Sequence, residues 1–303
     1  MHLNIHSRAL KGFDTIRRCG SIREAARRLN ISSSALNRQL LNLEDELGTP
    51  LFERLPQGLR LTPVGEILAR HVINMLHDVQ RLEGELAALK GVQRGALDVV
   101  SVAALTPAFL PNVLQQMHHR YPAVTINVRI ADSIESARLV AAGDADVALS
   151  FVRHKSEPLR QLAVGTFPLG AVVRAAHPLA SRLQVTFAEC ARFPLVLPNR
   201  ELSFHPEIST LVARQKRPNV VLESASLDLM KGLALRNLGI AFLNRFGIER
   251  EVEEGTLRHV RLKPNIACSL GAYVRAERAL PPALDAFARV VAEEIGRREA
   301  EEV

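Results

Sequence analysis

Ser32, Ser33, Ser34, Asn37, Arg38 and Asn42 fall within eleven residues of one another, and their side chains carry the groups that hydrogen-bond to base edges. Serine hydroxyls and asparagine amides both donate and accept, and an arginine guanidinium holds either a guanine edge or a phosphate. Arg54 and Arg60 follow, where they could reach phosphates or a narrow groove. A merely solvated helix face can have the same composition, so the elements that carry these residues must decide.

Those elements are legible. Ser21 with Glu24 three residues on forms a capping box, and Ile22, Ala25, Ala26 and Leu29 follow at helical spacing. Asn30 suits a tight turn, and a second helix opens at Ser32 or Ser33. Leu36, Leu40, Leu43 and Leu47 form its apolar stripe, and Gly48 is placed to end it. An earlier helix over residues 3–19 would turn Leu3, Leu10, Phe13 and Ile16 inward. Leu51-Phe52 and Leu59-Arg60-Leu61 read as short strands around Pro56-Gln57-Gly58, which makes a wing. Two capped helices joined by a short turn in a basic segment favour reading of duplex DNA over a bare polar face.

The segments AARRLNIS, ALNRQLLNLEDELGTPLFER and LRLTPVGE resemble the DNA-binding region of LysR-type transcriptional regulators over residues 1 to about 90. The remainder is similar to that family in length, order of elements and a few short motifs. The resemblance implies a winged helix-turn-helix (1–62), a dimerising linker helix (63–92) and an effector-binding domain (93–303). The last would be a two-lobed α/β domain of type 2 periplasmic-binding-protein fold, with lobe I at 95–164 and 267–303 and lobe II at 165–266. It also implies promoter DNA, a small-molecule effector, RNA polymerase and further copies of the chain, as homodimer and homotetramer, for partners. Pro56 and Gln57 stand at the wing tip where family members often carry arginine.

Bulk properties agree. The chain has 303 residues, 47% hydrophobic, with net charge +7. Residues 1–62 hold Lys11 and nine arginines against six acids, a balance suited to a polyanion. Cys19, Cys190 and Cys268 show no metal or disulfide spacing, so three reduced structural thiols are expected. With no leader-like N-terminus and no apolar run near the ~20 residues of a membrane span, a cytoplasmic protein is expected.

Thr62-Pro63 opens a long helix, with threonine as cap and proline at its first position. Leu68, Val72, Met75, Val79, Leu82, Leu86 and Leu89 alternate at four- and three-residue spacing, the period of a two-helix seam. Packing on the helix's own domain is the other reading; a DNA reader gains from two half-sites, which favours dimerisation. Gly91 to Gly95 reads as a hinge.

From Ala96 strands and helices alternate. Strands are expected in 97–102, 124–130, 145–151, 169–175, 195–198, 220–224, 239–244 and 270–276, and a last helix over 281–298 before a solvated, frayed tail. Crossovers near 164 and 267 would bracket a cleft, where helix starts and strand ends meet a ligand.

Candidate effector contacts are Ala104, Thr106, Asp132, Ser226, Asn199, Ser203, Asn244 and Phe151. By resemblance, small hydroxyl residues at the first helix start hold an effector carboxylate; Ala104 stands there, with Thr106 two residues on. Asp132 would cap its own helix and repel an anion. Each candidate has a plainer role as cap, turn or core, and Arg153, His154 and Lys155 read as a solvated loop.

No GxSxG elbow, GxxxxGK[ST] loop or HExxH motif is present, and His118-His119 diverge on a helix. Asp146 in GDADVA reads as structural, and Glu249, Glu251, Glu253 and Glu254 as a surface run. The expectation is therefore no enzyme, no cofactor and no metal. A ligand-binding protein with an oligomerising head, or an enzyme on the two-lobed domain, remain alternatives that DNA-binding or turnover assays separate.

Overall fold

The computed structural model describes residues 8–89, 95–151, 159–276, 278 and 280–302, apart from the side chains of residues 80 and 87–89. The chain divides into two units, residues 1–95 with 278–282 and residues 96–277 with 283–303. The segment 278–282, expected in lobe I, thus belongs with the first unit.

The first unit begins with α1 (Arg8–Cys19), α2 (Ile22–Leu29) and α3 (Ser33–Leu47). Their boundaries follow from local capping. Ser21 Oγ accepts from the Glu24 N–H, and Ser32 Oγ accepts from the Ala35 N–H at 3.1 Å. Asn30 takes the left-handed conformation that turns α2 into α3, at φ 53°, and Gly48 ends α3 at φ 69°. β1 (Phe52–Leu55) and β2 (Gly58–Leu61) pair antiparallel, Phe52 opposite Leu61 and Leu55 opposite Gly58. α4 (Pro63–Leu89) is capped by Thr62, whose Oγ1 accepts from the Gly65 N–H at 3.0 Å.

Phe13, Ile16, Ala25, Ala26, Leu36, Leu40, Leu51 and Phe52 form the core, each fully buried leucine contributing roughly 1.5–3 kcal/mol. Leu10 packs against it, whereas Leu3 lies outside the described residues. Leu47, expected in the stripe, is 46% exposed because the core ends near Leu43.

The second unit runs through β3 (Gly95–Ser101), a 3-10 turn (Ala103–Leu105), α5 (Phe109–Arg120), β4 (Val124–Ile130), α6 (Ser133–Ala141) and β5 (Val147–Ser150). Next come β6 (Leu159–Pro168), β7 (Gly170–Arg174), β8 (Gln184–Thr186), α7 (Phe187–Cys190), β9 (Leu195–Pro198), α8 (His205–Ala213) and β10 (Val220–Ser224). The chain finishes with α9 (Leu227–Leu235), β11 (Ile240–Leu243), α10 (Glu249–Glu253), β12 (Leu257–Lys263), β13 (Ala267–Arg275) and α11 (Pro282–Glu301).

Two sheets result, ordered β4-β3-β5-β13-β6 and β10-β9-β11-β7-β12-β8. β3 and β5 are parallel, as are β10, β9 and β11, while β13 closes the first sheet antiparallel between β5 and β6. The first crossing falls at Leu169, between β6 and β7, rather than near residue 164. β6 and β12 were not expected as strands. In β12, buried Leu257, Val260 and Leu262 are interleaved with charged residues, a half-buried pattern that reads as loop without its sheet. No helix among the described residues is long and apolar enough to cross a membrane.

Candidate functional site

In the first unit, α3 presents Ser33, Ser34, Arg38 and Asn42 to solvent, with Asn37 half-buried beside Leu36. Ser32 is committed to the helix cap and lies 3.1 Å from Ser34 Oγ, so its hydroxyl serves the helix first. Arg38 and Arg54 are exposed and outside every ion pair among the described residues. Arg60 differs. Its Nη2 lies 2.7 Å from Glu53 Oε2 across the β1–β2 ladder, which neutralises much of its charge locally.

α2 adds what the sequence reading omitted. A crevice between the starts of α2 and α3 is lined by Arg23 and Arg27 together with Ser32 and Ser33. Arg27 hydrogen-bonds Glu24 at 2.8 Å and holds that carboxyl below its usual range, leaving Arg23 exposed. Arg23 sits at a helix start with no periodic partner, which is why spacing alone did not select it.

The α4 seam divides. Val72 is 1% exposed and belongs to the core of its own unit, and Leu68 packs against that core. These two serve the head rather than a second helix, because the first turns of α4 pack on α1 and β2. Met75, Leu82 and Leu86 are 39%, 38% and 37% exposed, with Val79 half-buried between them. Val64 and Ile67, absent from the expected seam, are 38% and 50% exposed. The Leu89 side chain lies outside the described residues.

In the second unit, a cavity of about 280 Å³ opens between the two sheets' loops. It gathers Ala104, Thr106, Asp132, Phe151, Ser203, Ser226 and Asn244 from six stretches of chain. Asn199 is not among its lining; it stands in an adjoining crevice with Arg200 and His205, its Oδ1 accepting from the Glu201 N–H at 3.1 Å. Asp132 Oδ1 accepts from the Glu135 N–H at 2.8 Å and Ser226 Oγ from the Leu229 N–H at 3.2 Å, so both cap their helices. Thr106 Oγ1 donates to the Ala103 carbonyl at 2.8 Å.

Phe151 and Phe246 line the cavity, and Phe246, which sequence reading passed over, centres an aromatic cluster behind it. Its ring lies 4.6 Å from Phe167, 5.8 Å from Phe109 and 5.8 Å from Phe151, all tilted edge-on. Beside it, Arg298 on α11 pairs with Glu249 on α10 at 2.9 Å and with buried Glu294 at 3.0 Å. Glu251 pairs with Lys231 at 3.1 Å, and Lys231 also donates to the Gly247 carbonyl. Glu249 and Glu251 therefore tie elements together, whereas Glu253 and Glu254 face solvent as expected. The tail is likewise held: Glu299 Oε1 accepts from the Thr166 N–H, and α11 continues to Glu301.

Other chemistry-bearing groups serve structure. Asp146 Oδ2 accepts from the Asp98 N–H at 2.7 Å, locking β3 to the start of β5. Burial pushes the His259 imidazole down to about 4, and its neutral Nε2–H donates to the Leu243 carbonyl at 3.0 Å. Burial pushes the Cys190 thiol up to about 12. Residues 153–155 lie outside the described residues, and among those described no group of three His, Cys, Asp or Glu could hold a metal.

Two family models cover the chain. Residues 7–66 match the bacterial regulatory helix-turn-helix protein of the lysR family, and residues 90–296 match the LysR substrate binding domain. The HTH-type transcriptional regulator CbbR of Sinorhizobium medicae is 28% identical over 293 residues, covering 95% of this chain and 93% of its own. The RuBisCO operon transcriptional regulator of Allochromatium vinosum is 25% identical, covering 98% of both. A full-length OxyR variant from Pseudomonas aeruginosa has the same fold, with TM-score 0.74 at 20% identity over 97% of this chain and 95% of that one. The helix-turn-helix match falls on the capped helix pair and wing and the substrate-binding match on the two-sheet unit, and the chain belongs to the LysR family of DNA-binding transcriptional regulators.

Proposed function

We propose that Ser33, Ser34 and Asn37 read base edges in a major groove, that Arg23, Arg38 and Arg54 hold the flanking phosphates, and that the cavity at Phe246 takes the effector. The observation that carries this reading is the exposed first half of α3, where short polar groups stand on a helix capped at both ends. Arg60 contributes less, because Glu53 already occupies it. Met75, Val79, Leu82 and Leu86 join two copies, and paired sensor domains extend the dimer to a tetramer. Occupation of the cleft changes the relative setting of the two lobes and so the spacing or bend imposed on DNA. By linkage, DNA then changes effector affinity by the same factor. RNA polymerase contact at the promoter and a cytoplasmic location complete the reading.

The test is selection of genomic fragments by the purified full-length protein at two salt concentrations, read by sequencing. A few promoters sharing a dyad, with strong salt dependence, are expected. Equal enrichment of all DNA, or none, overturns the reading, as does an Arg38→Ala variant with unchanged operator affinity at physiological salt.

A further inference from the structure

We propose that the cleft accepts a small cation, an amine carried on an apolar body, and discriminates against carboxylates. This rests on the reading of the cavity as the effector site and specifies its ligand.

The charge of the lining points this way. Asp132, Glu201 and Asp228 line the cavity, and no lysine, arginine or histidine does among the described residues. Lys231 lies close by, but it is engaged by Glu251 at 3.1 Å and by Asp228 at 3.5 Å. A carboxylate ligand would meet Asp132 and Glu201 with no cation paired to either among the described residues, and Asp228 only partly offset by Lys231, while an ammonium group would meet acceptors.

Of the helices that begin at the cavity, α6 and α9 are capped by side chains, while α5 and α8 are not. An uncapped helix N-terminus favours anions through its free N–H groups. Here the α6 start is capped by the Asp132 carboxylate itself, and the α9 start by Ser226, with Asp228 in its first turn. Both dipoles are answered from within the chain.

An independent observation marks the interior as a ligand site. Asn244 is 5% exposed, lines the cavity, and takes part in no hydrogen bond among the described residues. Its amide atoms are not sealed from solvent but open to the cavity, where an occupant with a donor or acceptor would pair with them. The apolar body rests on Phe151 and Phe246, in a space of roughly nine water molecules.

The experiment uses three probes that share one body and differ in head group: phenethylamine, 2-phenylethanol and 3-phenylpropionate. Each is titrated into full-length protein carrying labelled isoleucine methyls, with Ile130 and Ile248, both lining the cavity, as reporters. Phenethylamine is expected to move both signals with the lowest Kd, and added salt to weaken it. Asp228→Asn, on an exposed side chain, and Asp132→Asn, which retains a capping side chain, are each expected to weaken the amine about two- to fivefold. They are expected to leave 2-phenylethanol unchanged. Tighter binding of 3-phenylpropionate, or equal binding of all three, overturns the charge preference and leaves the cleft reading standing. Failure of all three probes to move Ile130 or Ile248 at millimolar concentration overturns both.

Discussion

The rings of Phe167 and Phe246 stand 4.6 Å apart at 77°, one at the end of β6 and the other just beyond β11. They join the two sheets, and since Phe246 also lines the cavity, one side chain belongs both to the site and to the junction of the lobes. Phe246→Ala removes a ring in contact with three others and leaves a cavity. A loss of about 3–5 kcal/mol is expected, measured by urea unfolding of the full chain. A loss below about 1 kcal/mol would mean that the cluster collapses without cost and that Phe246 does not join the lobes.

His259 makes stability depend on pH. Burial holds its folded-state pKa at about 4, below the ordinary 6.5, against the opposing bond to the Leu243 carbonyl. The unfolded chain therefore binds the extra proton first. The contribution is complete above pH ~6.5 and is lost as pH falls toward ~4, to a total of about 3 kcal/mol. His259→Gln, which keeps a donor for Leu243, is expected to flatten the denaturation midpoint over that interval. A slope unchanged in the variant would assign it to other groups.

Asp146 accepts the Asp98 N–H inside the first sheet, and its own N–H donates to the Asp98 carbonyl at 2.7 Å. Asp146→Ala orphans a backbone donor and is expected to cost about 1–3 kcal/mol, whereas Asp146→Asn retains an acceptor and costs less. Equal losses for the two variants, by thermal unfolding, would contradict this bond as the main role of the side chain.

Cys190 is fully buried, and its thiol is pushed up to about 12, so almost no thiolate exists at neutral pH. Cys19 is only partly buried. Alkylation followed by mass spectrometry is expected to label Cys19 first and Cys190 only on unfolding. Fast labelling of Cys190 in the native protein would place it in a more open environment.

The two wing arginines separate by their partners. Arg54→Ala is expected to reduce the salt dependence of operator binding by about one unit of slope, and Arg60→Ala by less, because Glu53 shares its charge. Glu53→Gln, which frees Arg60, is expected to tighten binding. Equal effects of the two alanine variants would mean that DNA displaces Glu53.

The head was legible from sequence because its signals are local. The helix caps of Ser21, Ser32, Gly48 and Thr62 are made by bonds within four residues, and caps and turns depend on little else. Composition and the strand–helix alternation likewise determined the class of the second unit. The tertiary structure decided the rest. Val72 has the spacing of a seam, but a heptad does not say whether the facing surface is another helix or the chain's own core. Arg60 looks like Arg54 until the ladder sets Glu53 opposite it. Asn199 looks like Asn244 until folding places one outside the cavity and the other within it. Phe246 meets Phe109, Phe151 and Phe167 from segments some 80 to 140 residues away, a proximity created by crossing strands that no local pattern encodes.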